Sequence, residues 1–186
     1  TPLEETFDTL AALVREGKIR WVGLPPLPPA QLENAMNVAR GIDLPVVSMQ
    51  QQYSLVRREP EREVLPLCEL LGIGVLPYLP LEGGLLTGKY RRSEPPPPDS
   101  RYASMPLHWP REQWLTDEAF DRTEALERYA AERELSLLDV AIGGLAAMPA
   151  VASVIAGATR PEHVRANAEA ARWVPSADDL ASLRSL

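Results

Sequence analysis

The feature that most constrains this chain is an alternation repeated four times, a short apolar run followed by a stretch of helical periodicity. Before the first run, Leu3, Phe7, Leu10, Leu13 and Val14 recur at helical spacing, and Gly17 punctuates their end. Thr1, with Pro2 behind it and Glu4 three residues on, has the spacing of a capping box with proline at the first helical position. Ile19–Leu24 then reads as a buried strand, Pro28–Arg40 as helix, Pro45–Gln50 as a second strand, Glu59–Leu71 as helix and Gly72–Tyr78 as a third strand. After a long proline-rich loop, about 91–115, come helices at Asp117–Arg133 and Ser136–Met148. A fourth strand at Ala152–Ala156 and closing helices at Pro161–Ala171 and Ser176–Leu186 complete the order.

Strands that alternate with helices imply a parallel sheet with right-handed crossovers, an α/β fold. Four such units with nothing to close the sheet suggest a partial (β/α)8 TIM barrel. A four-stranded doubly wound domain is the alternative. It calls for a glycine-rich turn after the first strand, where Pro25 and Pro26 stand instead. Half a barrel leaves strand edges unpaired and inward side chains in water. The expectation is therefore a chain of marginal stability that needs the other half or a second copy of itself. Thr1 opens a helix, which gives the expectation that the chain is a fragment of a longer protein.

The totals exclude several functions. The net charge of −7 argues against general nucleic-acid binding. No stretch approaches the roughly 20 apolar residues of a membrane span. The acidic start is unlike a signal peptide, so a cytoplasmic location is expected. The one cysteine, Cys68, excludes a disulfide framework, and its apolar helical setting suggests a buried thiol. Two histidines and one cysteine, far apart, make no metal set, and no nucleophile sits in a strained elbow with a histidine partner.

Two loops carry a phosphate-binding character of their own. Gly83, Gly84 and Gly88 lie in the loop after the third strand, where the lack of Cβ lets backbone amides approach an anion. The loop Gly157–Arg160 leads into a helix at Pro161, and a helix N-terminus presents free N–H groups and partial positive charge. Arg160 there has the fork geometry for a bidentate phosphate contact.

Four segments in order resemble the aldo-keto reductase family. They are Gly17-Lys18-Ile19-Arg20-Trp21-Val22-Gly23, the run Val47–Leu55, the run Gly74–Tyr90, and the run Ser153–Asn167. These are similar to the family's fifth, sixth, seventh and eighth barrel strands with their exits, the third being the most specific. The resemblance covers almost the whole chain. It implies an NADP(H)-dependent oxidoreductase that reduces a small carbonyl substrate, an aldehyde or ketone, by hydride transfer.

The same resemblance implies residue roles. Pro80, Leu81, Gly83, Gly84, Leu85, Gly88 and Lys89 would form the loop over the cofactor's pyrophosphate. Gly157, Ala158, Thr159 and Arg160 would hold the adenosine 2′-phosphate, which favours NADP over NAD. His163 would face the adenine and Asn167 would read its edge, while Ala166 stands where many members carry a glutamate. Tyr78 would stack on the nicotinamide and Gln50 hold its carboxamide. Two positions depart from the family pattern. Pro25-Pro26 replace a serine–asparagine pair, removing a carboxamide hydrogen bond worth about 1–3 kcal/mol, and Leu79 replaces a serine. The family's catalytic tyrosine, lysine, aspartate and histidine belong to the first half of the barrel, and Lys18, Lys89 and His108 match none of them. No catalytic residue is therefore expected here, and His108 and Trp109 read as loop residues near a substrate wall. The alternative function is a non-catalytic barrel remnant that binds a nucleotide or serves as a scaffold.

Overall fold

The computed structural model describes residues 1–104 and 113–186, and His108 and Trp109 lie outside the described residues. The chain forms helices and a parallel sheet, in two compact units. The first comprises Thr1–Gln52, Glu59–Pro77 and Pro149–Ser153, and the second Tyr53–Arg58, Tyr78–Met148 and Val154–Leu186.

The first unit is built on a sheet of β1 (Val22–Leu24), β2 (Val46–Gln52) and β3 (Gly74–Tyr78) in that spatial order. β1 and β2 run parallel, Val22 opposite Val46 and Leu24 opposite Met49. Of the helices α1 (Leu3–Arg15), α2 (Pro29–Gly41) and α3 (Val64–Leu71), α2 packs against both of the others. Phe7, Leu32, Met36, Met49, Cys68 and Val75 are buried in this unit. Burial pushes the Cys68 thiol up to about 11.

The second unit holds α4 (Arg101–Ser104), α5 (Asp117–Ala131), α6 (Leu137–Asp139) continuing into a wide π turn (Val140–Gly144), α7 (Pro161–Ala170) and α8 (Ala177–Ser185). α6 and α8 open with full capping boxes, Ser136 with Asp139 and Ser176 with Asp179. α6 packs against α5, α7 and the turn Glu82–Thr87.

Two expectations change. The helix α1 starts at Leu3, with Pro2 as its cap: the Pro2 carbonyl already accepts the first helical bond from Thr6 while its ψ of 147° is non-helical, and no side chain caps. Thr1 is thus outside the helix. Gly17, in contrast, ends it as read, at φ 70°, with Lys18 N–H on the Leu13 carbonyl and Gly17 N–H on that of Val14. The run Ala152–Ala156 forms no continuous strand. It touches the sheet at two parallel bridges, Val75 with Val151 and Tyr78 with Ile155, and Ala152, Ser153 and Ile155 are exposed. The proline-rich loop is anchored on both sides of the run Pro95–Pro98. Arg92 is pinned to Asp117, Asp121 and Glu124 on α5, and Tyr102 on α4 is fully buried. No helix among the described residues is long and apolar enough to cross a membrane.

Candidate cofactor site

The second unit gathers the ends of three segments. The Tyr53 N–H donates to the Tyr78 carbonyl at 3.5 Å, and Tyr78 bridges Ile155 in parallel register. Beyond that parallel pair the two chains leave from the same end, one toward the glycine turn and one toward α7. This is the end at which α/β sheets collect ligands.

The glycine turn is tight and left-handed. Leu79, Glu82, Gly83, Gly84 and Gly88 all have positive φ, from 45° at Glu82 to 104° at Gly84. Leu79 and Glu82 carry side chains there, a strain of about 1–2 kcal/mol each. The space beside the glycines is occupied from within the protein. A Cβ on Gly83 would lie 2.6 Å from the Tyr102 hydroxyl, and one on Gly84 would lie 2.5 Å from Cε of Lys89. Pro80, Gly84 and Leu85 are buried, Leu81, Gly83 and Gly88 half-buried, and Lys89 exposed with its ammonium 5.4 Å from the Tyr90 ring centre.

A buried polar network holds this turn. The Tyr102 hydroxyl donates to the Glu82 carbonyl at 3.0 Å, and the Tyr90 hydroxyl to the Gly83 carbonyl at 3.3 Å. The Glu82 carboxylate, only 2% exposed, accepts from Ser54 Oγ at 2.8 Å and lies 3.6 Å from Arg57 Nε. Burial and the nearby Glu82 charge push the Tyr102 hydroxyl well above the usual tyrosine range. Sequence reading missed Ser54, Arg57, Glu82, Tyr90 and Tyr102. Their roles depend on contacts between separate segments, and the only local sign was a polar glutamate inside an apolar glycine run.

The second arm is the α7 N-terminus. Arg160 is its cap residue in extended conformation with no side-chain cap bond, and Pro161 takes the first turn. Gly157, Ala158, Thr159 and Arg160 are exposed, as is His163, whose Nδ1 lies 3.5 Å from Thr159 Oγ1. Asn167, one turn further on, is half-buried. Ala158, Thr159, Arg160, Pro161, Val164 and Arg165 line an open depression of about 500 Å³. Arg165 was not singled out from sequence. It lines the same depression as Arg160 beside a helix N-terminus, so two basic residues adjoin a setting that attracts anions.

Tyr78 is half-buried at the end of β3, in the second unit. Gln50 is exposed on β2, in the first unit. Pro25 and Pro26 follow β1 directly and are exposed, with no N–H to offer a ligand. Among the described residues no three His, Cys, Asp or Glu come together as a metal set.

The sequence matches the family model "Aldo/keto reductase family" over residues 1–186. The chain belongs to the aldo/keto reductase family. Relatives of this oxidoreductase family include an L-glyceraldehyde 3-phosphate reductase of Escherichia coli K12. It is 29% identical over 171 residues, 91% of this chain and 49% of that protein. An NADH-specific methylglyoxal reductase of the same strain is 31% identical over 186 residues, 100% of this chain and 54% of that protein. A probable voltage-gated potassium channel subunit beta of Oryza sativa subsp. japonica is 32% identical over 177 residues, 94% of this chain and 54% of that protein. The chain thus spans about half the length of the curated relatives it matches. Aldo/keto reductases use nicotinamide cofactors.

Proposed function

We propose that this chain is the cofactor-gripping part of an NADP(H)-dependent aldo/keto reductase. In this reading β1, β2, β3 and the run Val151–Ile155 are strands five to eight of a (β/α)8 barrel, and a complementary half or a second copy covers their open edges. The observation that carries the reading is that the glycine turn and α7 both pack against α6, in one compact unit.

The residues present fit a dinucleotide at its phosphate and adenine end. The depression at α7 has two arginines and a free helix N-terminus for the 2′-phosphate. Asn167 and His163 lie four apart on the same helix, on one face, for the adenine. Gly83 and the exposed Lys89 would meet the pyrophosphate, while Gly84, whose N–H donates to the Leu81 carbonyl at 2.8 Å, would shape the turn. In the second unit Tyr78 offers a flat ring for a nicotinamide; in the first, Gln50 carries an amide, and Pro25-Pro26 carry no side-chain donor. When bound, the cofactor supplies a hydride to an aldehyde or ketone. This chain's residues bind and orient it, and the proton donor would come from the rest of a complete barrel.

A second reading, a nucleotide-binding scaffold without catalysis, is favoured by Pro25-Pro26 alone. Cofactor choice tests the first. Arg160→Ala is expected to weaken NADPH binding roughly tenfold or more, from loss of one charge-assisted contact, and to leave NADH binding within about twofold. Equal weakening of both would remove the 2′-phosphate assignment.

A further inference from the structure

We propose that the Glu82 peptide, clamped by Tyr102 at its carbonyl and by Ser54 and Arg57 at its carboxylate, is the positioning element that fixes the glycine turn for a pyrophosphate. The inference rests on the cofactor reading above and adds residues to which that reading gives no role.

The argument starts from peptide geometry. A trans peptide is planar, with its C=O and the following N–H pointing in opposite directions. The Tyr102 hydroxyl draws the Glu82 carbonyl toward the buried side at 3.0 Å. The Gly83 N–H therefore points away from Tyr102. The Tyr90 hydroxyl, at 3.3 Å from the Gly83 carbonyl, orients the next peptide. The two rings brace each other, with centres 5.1 Å apart and planes tilted by 60°, and the Tyr102 N–H donates to the Tyr90 hydroxyl at 3.4 Å.

The carboxylate end explains why a strained, charged residue sits here at all. Glu82 holds φ 45° and is 2% exposed. A buried carboxylate is retained only with partners, and Ser54 and Arg57 come to it from the segment after β2. Ser54 Oγ is 2.8 Å from Glu82 Oε1 and also accepts from the Arg57 N–H at 2.9 Å. Arg57 sets its charge 3.6 Å from the same oxygen. The negative charge is thereby offset locally, so it does not oppose an anion at the glycine turn. One residue ties the exit of β2 to the exit of β3 and sets the direction of the peptide between Glu82 and Gly83.

Charge-neutral variants separate geometry from attraction. Tyr102→Phe removes the hydroxyl and keeps the ring over Gly83. Ser54→Ala removes the carboxylate's hydroxyl partner from the other side. Each is read by the affinity of the full chain for NADPH, which carries the pyrophosphate, and for 2′,5′-ADP, which has the 2′-phosphate and adenine without it. The proposal expects NADPH affinity to fall roughly tenfold, equivalent to about 1.4 kcal/mol, with 2′,5′-ADP affinity unchanged in both variants. Loss of both ligands together, or of neither, overturns the positioning role while leaving the cofactor reading in place. Failure of the unaltered chain to bind either ligand removes the cofactor reading, and this inference with it.

Discussion

The Tyr129 hydroxyl donates to Asp179 Oδ1 at 2.7 Å, joining α5 to the first turn of α8. Asp179 is at once the capping-box residue of α8 and the partner of Arg133, whose guanidinium lies 3.8 Å from the Tyr129 ring centre. Burial, then the Asp179 hydrogen bond, pushes Tyr129 up to about 12. The Tyr129 hydroxyl, followed by Ser176, holds the Asp179 carboxyl well below the usual carboxylate range. A tyrosine raised above its ordinary value of about 10 contributes stability that is complete below that value and is lost as pH climbs toward 12. For Asp179 the contribution is present above the ordinary carboxylate value of about 3.9 and falls away as pH drops below it. Thermal melts from pH 9 to 12 should therefore show a destabilisation that Tyr129→Phe reduces; an identical alkaline slope in the variant would contradict the assignment.

Gly83→Ala and Gly84→Ala should differ in cost. Both demand a left-handed backbone from an L-residue, about 1–2 kcal/mol. At Gly83 the new Cβ also meets the rigid Tyr102 ring, where overpacking adds about 1–3 kcal/mol, whereas at Gly84 it meets the flexible end of Lys89. Urea unfolding should rank Gly83→Ala as the more destabilising. The reverse order would show that Tyr102 yields easily.

A second glycine pair tests packing at the π turn. A Cβ on Gly143 would lie 2.6 Å from the Trp173 carbonyl and 3.0 Å from that of Ala170. Gly143→Ala should cost about 1–3 kcal/mol. Gly41, at the end of α2, has open space and ordinary φ, so Gly41→Ala should be neutral or stabilise by up to about 1 kcal/mol. Melting temperatures moving in the same direction for both would undo this reading of the turn.

Cys68 is fully buried with its thiol raised to about 11. The thiolate is the reactive form, so a thiol reagent at neutral pH should label the folded chain far more slowly than the unfolded one. Rapid labelling under native conditions would mean that α3 opens readily.

Much of the fold was legible because apolar runs and Gly or Pro punctuation coincide, as at Gly17, Pro28 and Gly72. The order of helices and of β1 to β3 followed from that, with boundaries shifted by a few residues, β1 starting at Val22 in place of Ile19. The run Ala152–Ala156 misled because its apolar residues look like a strand. A continuous strand needs a ladder, and the segment pairs with β3 at only two positions. Of the candidate site, the two loops could be read from glycines and a helix start. Their support could not. Tyr102 reaches Glu82 from across 20 residues, out of a stretch whose prolines hide any periodicity. The wide turn at Val140–Gly144 was equally invisible, since its residues fit an ordinary helical pattern.

The most direct test of the account is equilibrium binding of NADPH to this chain, followed by cofactor fluorescence. Saturable binding, competed by 2′,5′-ADP and weakened roughly tenfold by Arg160→Ala, is the predicted result. No response at millimolar NADPH would contradict the claim that these residues grip a nicotinamide dinucleotide.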